Sequence, residues 1–279
     1  MSPPPPVSTP PSQEKPYVPS PYVTPPPSVD SSREGRRFLV DPHTHTLASG
    51  HAYSTIREMA ERAAEIGVQV LGITDHAPAL PGAPHDIYFH NLHIVPRELY
   101  GVRLLMGVEL NILDTRGTID LDDWTLSRLD LRIAGLHRLC WEGGTIEENT
   151  AGMVSAIRNP WVQIISHPGD GTAPLLFEPI AIAAKETGTL LELNSSSLNP
   201  IRGKVTAHDN FCEILRLCKQ LDMPIVLGSD AHIAYSIADY RFALPLLTET
   251  DFPDELILND KPEMFFRHLK PTPSTPAAP

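Results

Sequence analysis

Seven short apolar runs recur along the chain, and a longer segment separates each run from the next. The runs end 27 to 36 residues apart, which is the length of a strand followed by a helix. Most of them are continuously apolar, as strands buried on both faces are. They occupy residues 37–41, 69–75, 103–109, 130–137, 162–167, 189–194 and 224–230. The pattern predicts an α/β fold built on a parallel sheet.

The segments between the runs carry helical signals. In 54–66, Thr55 and Glu58 match a capping box, the apolar residues follow helical spacing, and Gly67 suits the end of a helix. We predict further helices over 145–158, 174–187, 208–221 and 233–248, and a weaker one over 87–100 because Pro96 interrupts it. Seven strand–helix units predict a (β/α)7 barrel, one unit short of the TIM barrel. An open doubly wound sheet is the alternative, but no glycine-rich phosphate loop supports it.

Proline is concentrated at both ends of the chain. Of its 30 prolines, 12 fall in residues 1–30 and 4 in residues 271–279. We therefore predict Pro-rich disordered tails over 1–36 and 271–279 around a single domain over 37–270. No apolar run approaches the ~20 residues of a membrane span, and the N-terminus lacks a secretory signal. These features predict a cytoplasmic protein with no membrane association.

Charge and cysteine content narrow the classes of function. The net charge of −12 argues against a protein that grips nucleic acid through a basic surface, but it allows a small phosphorylated substrate held by metal. The three cysteines are Cys140, Cys212 and Cys218, and none of them forms a C-x-x-C pair. Their spacing predicts neither a disulfide framework nor a thiolate zinc site.

The apolar runs end in residues that can bind metal. In a parallel barrel these ends gather on one face, which carries the active site in barrel enzymes. One tetrahedral zinc needs only three or four protein ligands, so a larger set suits two or three divalent ions with a bridging carboxylate. Imidazole and carboxylate without thiolate fit Zn, Mn or Fe(II). The nine candidate ligands are His43, His45, His51, His76, Glu109, His137, His167, Asp230 and His232.

Spacing and burial support the set. His43 and His45 lie two residues apart, so on an extended chain they point to the same side, and Asp230 and His232 repeat this arrangement. Glu109 ends an apolar strand, where an unpaired carboxylate is costly to bury. Glu109 and Asp230 are therefore the predicted catalytic carboxylates.

Other polar residues near the strand ends receive supporting roles. We expect Asp41 and Asp75 to orient imidazoles rather than bind metal, and Asn194 to line the site. Arg202 and Lys204 follow strand six and are candidates to contact a substrate phosphate. The other five histidines are assigned to the surface, although His85 is a candidate to protonate the leaving group. They are His85, His90, His93, His208 and His268.

Several motifs resemble those of the polymerase-and-histidinol-phosphatase (PHP) family, and in particular its YcdX-like metal-dependent phosphatases. They are DPHTHT (41–46), GHAYST (50–55), GITDHA (72–77), MGVELNI (106–112), IAGLH (133–137), IISHPG (164–169), LELNSSS (191–197) and LGSDAH (227–232). The resemblance covers residues 38 to 268 and implies a distorted (β/α)7 barrel with a trinuclear metal centre, in which zinc is the first choice and manganese or iron the alternatives.

The resemblance also implies how the ligands are shared. One ion takes His43, His45, Glu109 and Asp230. A second shares Glu109 and adds His137 and His167. A third takes His51, His76 and His232.

The expected function is hydrolysis of a phosphomonoester by a metal-activated water. A nuclease or nucleic-acid 3′-end phosphatase is a second possibility, which the acidic charge disfavours. A non-catalytic metal-binding module is a third, although such a module would be expected to lose ligands. An amidohydrolase-type barrel also uses an H-x-H pair, but it usually bridges its metals with a carboxylated lysine, and here Glu109 occupies that position.

Overall fold

A computed structural model describes residues 37–141 and 143–273 of the chain. Its centre is a parallel sheet of seven strands, and one further, short strand pairs antiparallel with the N-terminal end of a central strand. Helices cover the sheet, and the sheet curls until its two ends almost meet. The predicted distorted (β/α)7 barrel is confirmed.

The strands match the predicted runs, although several are shorter. β1, for example, holds only Val40–Asp41, and β6 only Ile164–Ile165. The others are β2 (Val70–Ile73), β3 (Glu98–Leu99), β4 (Val102–Asn111), β5 (Leu131–Gly135), β7 (Leu190–Asn194) and β8 (Ile225–Gly228). The parallel strands lie in the order β1-β2-β4-β5-β6-β7-β8, and β3 pairs with the start of β4.

Most predicted helices form where they were expected. α1 (Ile56–Ile66) has the Thr55–Glu58 capping box and ends at Gly67, whose φ is +78°. α4 (Ile146–Arg158), α5 (Phe177–Thr187) and α6 (Ala207–Gln220) correspond to three of the other predicted helices. The structure adds the short helices α3 (Asp123–Leu126) and α8 (Pro262–His268), which the sequence analysis did not predict.

Two predicted helices are broken. The segment 87–100 holds α2 (Asp86–Asn91), a 3-10 turn and then β3, because Pro96 cannot continue a helix. The segment 233–248 holds a 3-10 turn (Ala234–Ser236) and, separately, α7 (Leu244–Glu249). Ala238 lies between them with a φ of +53°, which a continuous helix does not allow.

The seam between β1 and β8 is closed by residues that follow these strands. Thr44 and Ala231 form a parallel bridge, and the amide of Asp230 donates to the carbonyl of His43. Further down, the side chain of Asn259 donates to the carbonyls of Val40 and Leu227. The barrel is therefore closed by a few specific contacts rather than by a continuous ladder.

Two apolar clusters fill the fold. One packs the helices against the outside of the sheet. The other takes residues from each of the seven parallel strands and therefore fills the barrel interior below the strand ends. Phe265 of α8 closes the interior cluster from the base. A rigid interior thus supports the residues at the opposite face.

The predicted tail 1–36, and residues 274–279 of the other tail, lie outside the described residues. The boundaries at 37 and 270 therefore stay predictions. Within the described part of the chain, no helix is long and apolar enough to cross a membrane.

Candidate metal centre

Glu109 lies at the centre of a cluster of imidazoles at the strand ends. It belongs to β4, the longest strand, and its side chain is fully buried. Oε1 lies 2.8 Å from Nε2 of His167 and 3.2 Å from Nε2 of His137. Oε2 lies 2.8 Å from Nδ1 of His76 and 3.5 Å from Nε2 of His45. The two oxygens thus face different imidazoles, as a bridging carboxylate requires.

His43 and His45 converge on Asp230. Their Nε2 atoms are 3.0 Å apart. Oδ1 of Asp230 lies 3.6 Å from the first and 3.3 Å from the second. Nε2 of His43 is also 3.4 Å from Oε1 of Glu109. The structure therefore brings together the four residues that the resemblance assigns to one ion.

His51 and His232 form the outer edge of the cluster. Their Nε2 atoms are 3.0 Å apart, and the ring of His51 stacks on that of His76 at 5.0 Å. His45, His76 and His232 also offer ligand atoms within 4.8 Å of one another. His45 and His76 are thus near more than one of the predicted ion positions. The nine predicted ligands form one continuous cluster.

Most of the imidazoles are fixed through the nitrogen that faces away from the cluster centre. Nδ1 of His137 lies 2.7 Å from Oδ1 of Asn111, and Nδ1 of His45 lies 3.1 Å from Oγ of Ser49. Backbone carbonyls hold Nδ1 of His51 and of His232. The opposite nitrogen of each ring then points inward. This is how proteins orient metal-binding histidines.

Glu192 of β7 is a supporting residue to which the sequence analysis gave no role. It is buried, and its Oε1 lies 2.7 Å from Nδ1 of His43. Its Oε2 accepts from the backbone amide of His167 at 2.6 Å and from Nδ2 of Asn194. One carboxylate thus positions two candidate ligands. The sequence did contain a signal for Glu192, because a glutamate within an apolar strand is unusual, and the same signal identified Glu109.

Asp75 and Asp41 support the site in ways that differ from the expectation. Asp75 accepts from Oγ of Ser49, so it acts on His45 through that hydroxyl rather than directly. Asp41 accepts from the hydroxyl of Ser229 and from the amide of Ala238, and it orients the loop that leads to Asp230 rather than an imidazole.

The backbone is strained at two candidate ligands. His167 has a φ of +34° and Asp230 a φ of +53°, both in a region that favours glycine. Such conformations persist where the surroundings impose them, and they cluster at functional sites.

Charges within the cluster shift its pKa values in opposite directions. Burial alone would raise the pKa of Glu109, but His43, His137 and His76 hold it well below its usual value. The carboxylates of Glu192, Glu109 and Asp230 overcome burial and raise the pKa of His43. Burial and then His76 lower the pKa of His45. The cluster therefore combines anionic carboxylates with imidazoles whose pKa is raised, such as His43, and imidazoles whose pKa is lowered, such as His45.

Unsatisfied atoms at the centre fit a bound cation. Within the described residues, Oε2 of Glu109 and Nδ1 of His76 are buried and have no hydrogen bond of acceptable geometry, although they are only 2.8 Å apart. Buried polar atoms without partners are costly. Lone pairs that converge from carboxylate and imidazole suit Zn, Mn or Fe(II), so the residues present fit divalent metal.

A cavity of about 470 Å³ opens over the cluster. Both predicted phosphate contacts line it: Arg202 donates to Oγ of Ser196 at 2.7 Å, and Lys204 contacts Asp170 and Thr172. Arg138 is a third cation on the wall, which the sequence analysis did not select.

The structure does not bring His85 to this cavity. It caps the N-terminus of α2, and its side chain is 81% exposed and paired with Asp86. It is not among the residues that line the cavity, so the geometry gives it no contact with a leaving group.

Comparisons with known proteins are consistent with this site. A "probable phosphatase" of Acetivibrio thermocellus is 44% identical over 234 residues, which are 84% of this chain and 96% of that protein. A "probable phosphatase" of Clostridium novyi is 43% identical over 234 residues, which are 84% of this chain and 95% of that protein.

A solved structure shares the fold. It is the histidinol phosphate phosphatase of Lactococcus lactis in complex with zinc, L-histidinol and phosphate. The TM-score is 0.53 at 18% identity, and the match covers 77% of this chain and 94% of that one.

The expected enzyme class, a phosphoric ester hydrolase, is confirmed at that level by these relatives. The profile of the PHP domain matches residues 41–259. That range contains the nine candidate ligands and, apart from Val40 at the start of β1, all seven parallel strands, and the chain therefore belongs to the PHP domain family.

Proposed function

We propose that this protein hydrolyses a small phosphomonoester with divalent metal held by the nine-residue cluster, and that the cluster holds three ions. The observation that carries the proposal is the position of Glu109. Its two oxygens face separate sets of imidazoles, and at least one of them lacks a hydrogen-bond partner within the described residues. Zinc is our first choice because the ligand set suits it and the Lactococcus enzyme contains it; manganese and iron are the alternatives.

The protein residues divide the work around the bound metals. Metals in such a centre lower the pKa of water and neutralise charge on phosphoryl oxygens. Glu109 and Asp230 would hold these ions, while Glu192 fixes the ring of His43 and Ser49 fixes that of His45. Arg202 is placed on the cavity wall to bind a phosphoryl oxygen and to orient the ester.

The cavity favours a compact anionic substrate. A volume of about 470 Å³ falls within the range of small-molecule sites. Arg138, Arg202 and Lys204 lie on its wall, whereas the whole chain carries a net charge of −12. Positive charge is therefore concentrated around the cavity, while the chain as a whole is acidic. This distribution suits a small phosphate ester better than a long nucleic-acid backbone.

The test is hydrolysis of a chromogenic phosphomonoester alongside elemental analysis of one purified sample. We expect about three ions per chain and hydrolysis that a chelator abolishes and added metal restores. Glu109→Gln preserves the shape of the side chain but removes the bridging charge, so we expect it to lose nearly all activity and at least one ion. Wild-type turnover in Glu109→Gln would refute the mechanism.

The control is Glu178→Gln, which changes an exposed glutamate of α5 and should leave both measurements unchanged. Metal without phosphomonoester hydrolysis would favour the non-catalytic module or a phosphodiester substrate. DNA binding that is tight and salt-sensitive would favour a nuclease.

A further inference from the structure

A second cluster of metal-binding side chains lies on the surface, on α6 and at the end of α7. His208 and Cys212 are four residues apart on α6 and therefore share one face of that helix. Glu249, the last residue of α7, faces both of them. Nε2 of His208 lies 3.0 Å from Oε2 of Glu249. Sγ of Cys212 lies 3.9 Å from Oε1 of Glu249 and 4.0 Å from Nδ1 of His208.

The three side chains lie close enough to bind one zinc ion, although Glu249 and Cys212 face different nitrogens of the His208 ring and only one of these nitrogens can bind it. Zinc bonds of about 2.0–2.3 Å in tetrahedral geometry place neighbouring ligand atoms roughly 3.4–3.6 Å apart. One ligand atom from each of the three residues lies within 4.8 Å of the other two. His208 is 50% exposed and Glu249 is 54% exposed, so both side chains have room to rotate and to bring one ligand atom each to a common point.

The local charge also favours a cation. Asp209 adds a second carboxylate, with Oδ1 3.1 Å from Nδ1 of His208. In the part of the chain that the structure describes, no lysine or arginine lies within 4.0 Å of either carboxylate, and His208 is their ion-pair partner. A divalent ion would balance this group of anions and stabilise the thiolate.

We propose that His208, Cys212 and Glu249 form a divalent metal site of zinc type, separate from the Glu109 cluster, that links α6 to α7. Water or Asp209 completes the coordination. The segment before α6 carries Arg202 and Lys204, and α7 has only six residues. A bound ion therefore tethers a short helix to the helix that follows the mouth of the cavity.

The sequence spacing argued against a thiolate zinc site, because the cysteines form no C-x-x-C pair. The third ligand comes from a residue 37 positions after Cys212, and only the packing of α7 on α6 brings it there. The Glu109 cluster contains nitrogen and oxygen ligands but no sulfur. The two sites can therefore be distinguished by spectroscopy.

The test uses the full chain, freed of metal with a chelator and titrated with Co²⁺. We expect a thiolate-to-cobalt charge-transfer absorption whose final intensity corresponds to one thiolate-bound ion per chain, while the Glu109 cluster binds the other cobalt ions. Cys212→Ser should abolish it, and Cys140→Ser, the matched control, should retain it. Loaded with zinc, the wild type should contain about four ions per chain, three in the Glu109 cluster and one at Cys212, whereas Cys212→Ser should contain about three and hydrolyse phosphomonoester at the same rate.

Two results would overturn the site. One is the absence of the charge-transfer absorption in wild-type protein saturated with cobalt. The other is an unchanged absorption in Cys212→Ser. If Cys212→Ser does not fold, Glu249→Gln provides the same comparison, since it removes an exposed oxygen ligand and should weaken cobalt binding at least tenfold. Unchanged cobalt affinity in Glu249→Gln would also reject the proposal.

Discussion

Glu192 governs two imidazoles of the cluster through atoms that point away from the cluster centre. Its Oε1 accepts from Nδ1 of His43, which leaves Nε2 of that ring facing Glu109 and Asp230. Its Oε2 holds the amide of His167, a residue in a strained backbone conformation. The carboxylate therefore sets both the tautomer of one ligand and the backbone position of another.

We expect Glu192→Gln to lower metal affinity and phosphatase activity by about 10- to 100-fold, the usual effect of losing a partner behind a metal ligand. The amide has only one acceptor oxygen, and its NH₂ group favours the wrong tautomer of His43. The measurements are metal affinity by competition with a chromogenic chelator, and turnover at saturating metal. If excess metal restores turnover, the loss of activity in Glu192→Gln comes from weaker metal binding. Equal affinity in wild type and variant would contradict the role of Glu192.

The imidazoles of the metal-free protein should release protons when metal binds. A hydrogen bond and the charge from Glu109 overcome burial and raise the pKa of His167 to about 9. At pH 7 this ring therefore carries a proton that metal must displace. Above pH 9 the ring is already neutral, and its share of the release should disappear. Calorimetric titration in two buffers of different ionisation enthalpy measures the number of protons.

The stability of the metal-free protein follows from the same shift. Because the folded pKa of His167 exceeds the unfolded value, its contribution is complete below about pH 6.5 and is lost as the pH rises through about 9. His167→Asn should release fewer protons and show a flatter stability profile over that window. An identical proton count in wild type and His167→Asn would contradict this assignment.

The candidate ligands could be selected from sequence because parallel strands deliver their carboxyl ends to one face. Glu109, His137 and His167 needed no knowledge of packing beyond that rule. The residues that orient these ligands could not be predicted from the sequence. Ser49 and Asn111 are ordinary residues until the fold places them behind an imidazole.

At the scale of elements, local sequence signals predicted where helices begin more accurately than where strands begin and end. α1 and α4 begin at capping boxes that are visible in the sequence. The run 162–167 forms only two ladder residues, because the chain turns at Ser166 and His167 to direct the latter towards Glu109. The strand is therefore shorter than the apolar run, and the apolar pattern alone could not predict where it ends.

Thr55→Ala should destabilise the protein by about 1 kcal/mol, because it removes the cap of α1. The hydroxyl of Thr55 accepts from the amide of Glu58, and the Glu58 carboxylate accepts from the amide of Thr55. Urea unfolding measures the change. Thr248→Ala, at an exposed position inside α7, is the control and should change stability by only a few tenths of a kcal/mol. Equal effects of the two substitutions would dismiss the capping argument.

Gly135 at the end of β5 leaves room for a ligand on the neighbouring strand. A Cβ there would lie 2.8 Å from Cε1 of His167 and would also collide with Oγ of Ser166. The backbone of Gly135 is outside the left-handed region, so alanine is excluded by contact and not by φ. We expect Gly135→Ala to reduce activity and metal content more than it reduces thermal stability. Retained metal content and turnover would show that the ring can move without cost.

At the scale of the whole molecule, the barrel depends on a seam that no strand ladder closes. β1 and β8 are the ends of the sheet path, and the bridge from Thr44 to Ala231 joins them only beyond the strands. The number of strands in the sequence was enough to predict the barrel. The sequence did not indicate that the side chain of Asn259, in a loop before α8, lies in the seam.

Asn259→Ala should therefore be among the most damaging substitutions outside the metal centre. The fully buried side chain accepts from the amide of Leu227 and donates to the carbonyls of Leu227 and Val40. Alanine leaves the amide and the carbonyl of Leu227 without partners, at about 1–3 kcal/mol each, so we expect a loss of roughly 2–6 kcal/mol, whereas the carbonyl of Val40 still accepts from the hydroxyl of Tyr240. Urea unfolding of the metal-free protein measures it without the added stability of bound metal.

Asn259→Asp separates closure of the seam from simple loss of volume. Aspartate keeps the shape and one acceptor but loses both donated hydrogen bonds and adds a buried charge, so it should be as damaging as alanine. Asn91→Ala, at an exposed position in α2, should change stability by less than about 0.5 kcal/mol. If Asn259→Asp were as stable as wild type, the two donated bonds would not hold the seam. If it is destabilised as much as Asn259→Ala, the side-chain amide of Asn259 is one of the contacts on which the seam depends, together with the backbone bonds from Val40 to the carbonyl of Asn259 and from Asp230 to that of His43.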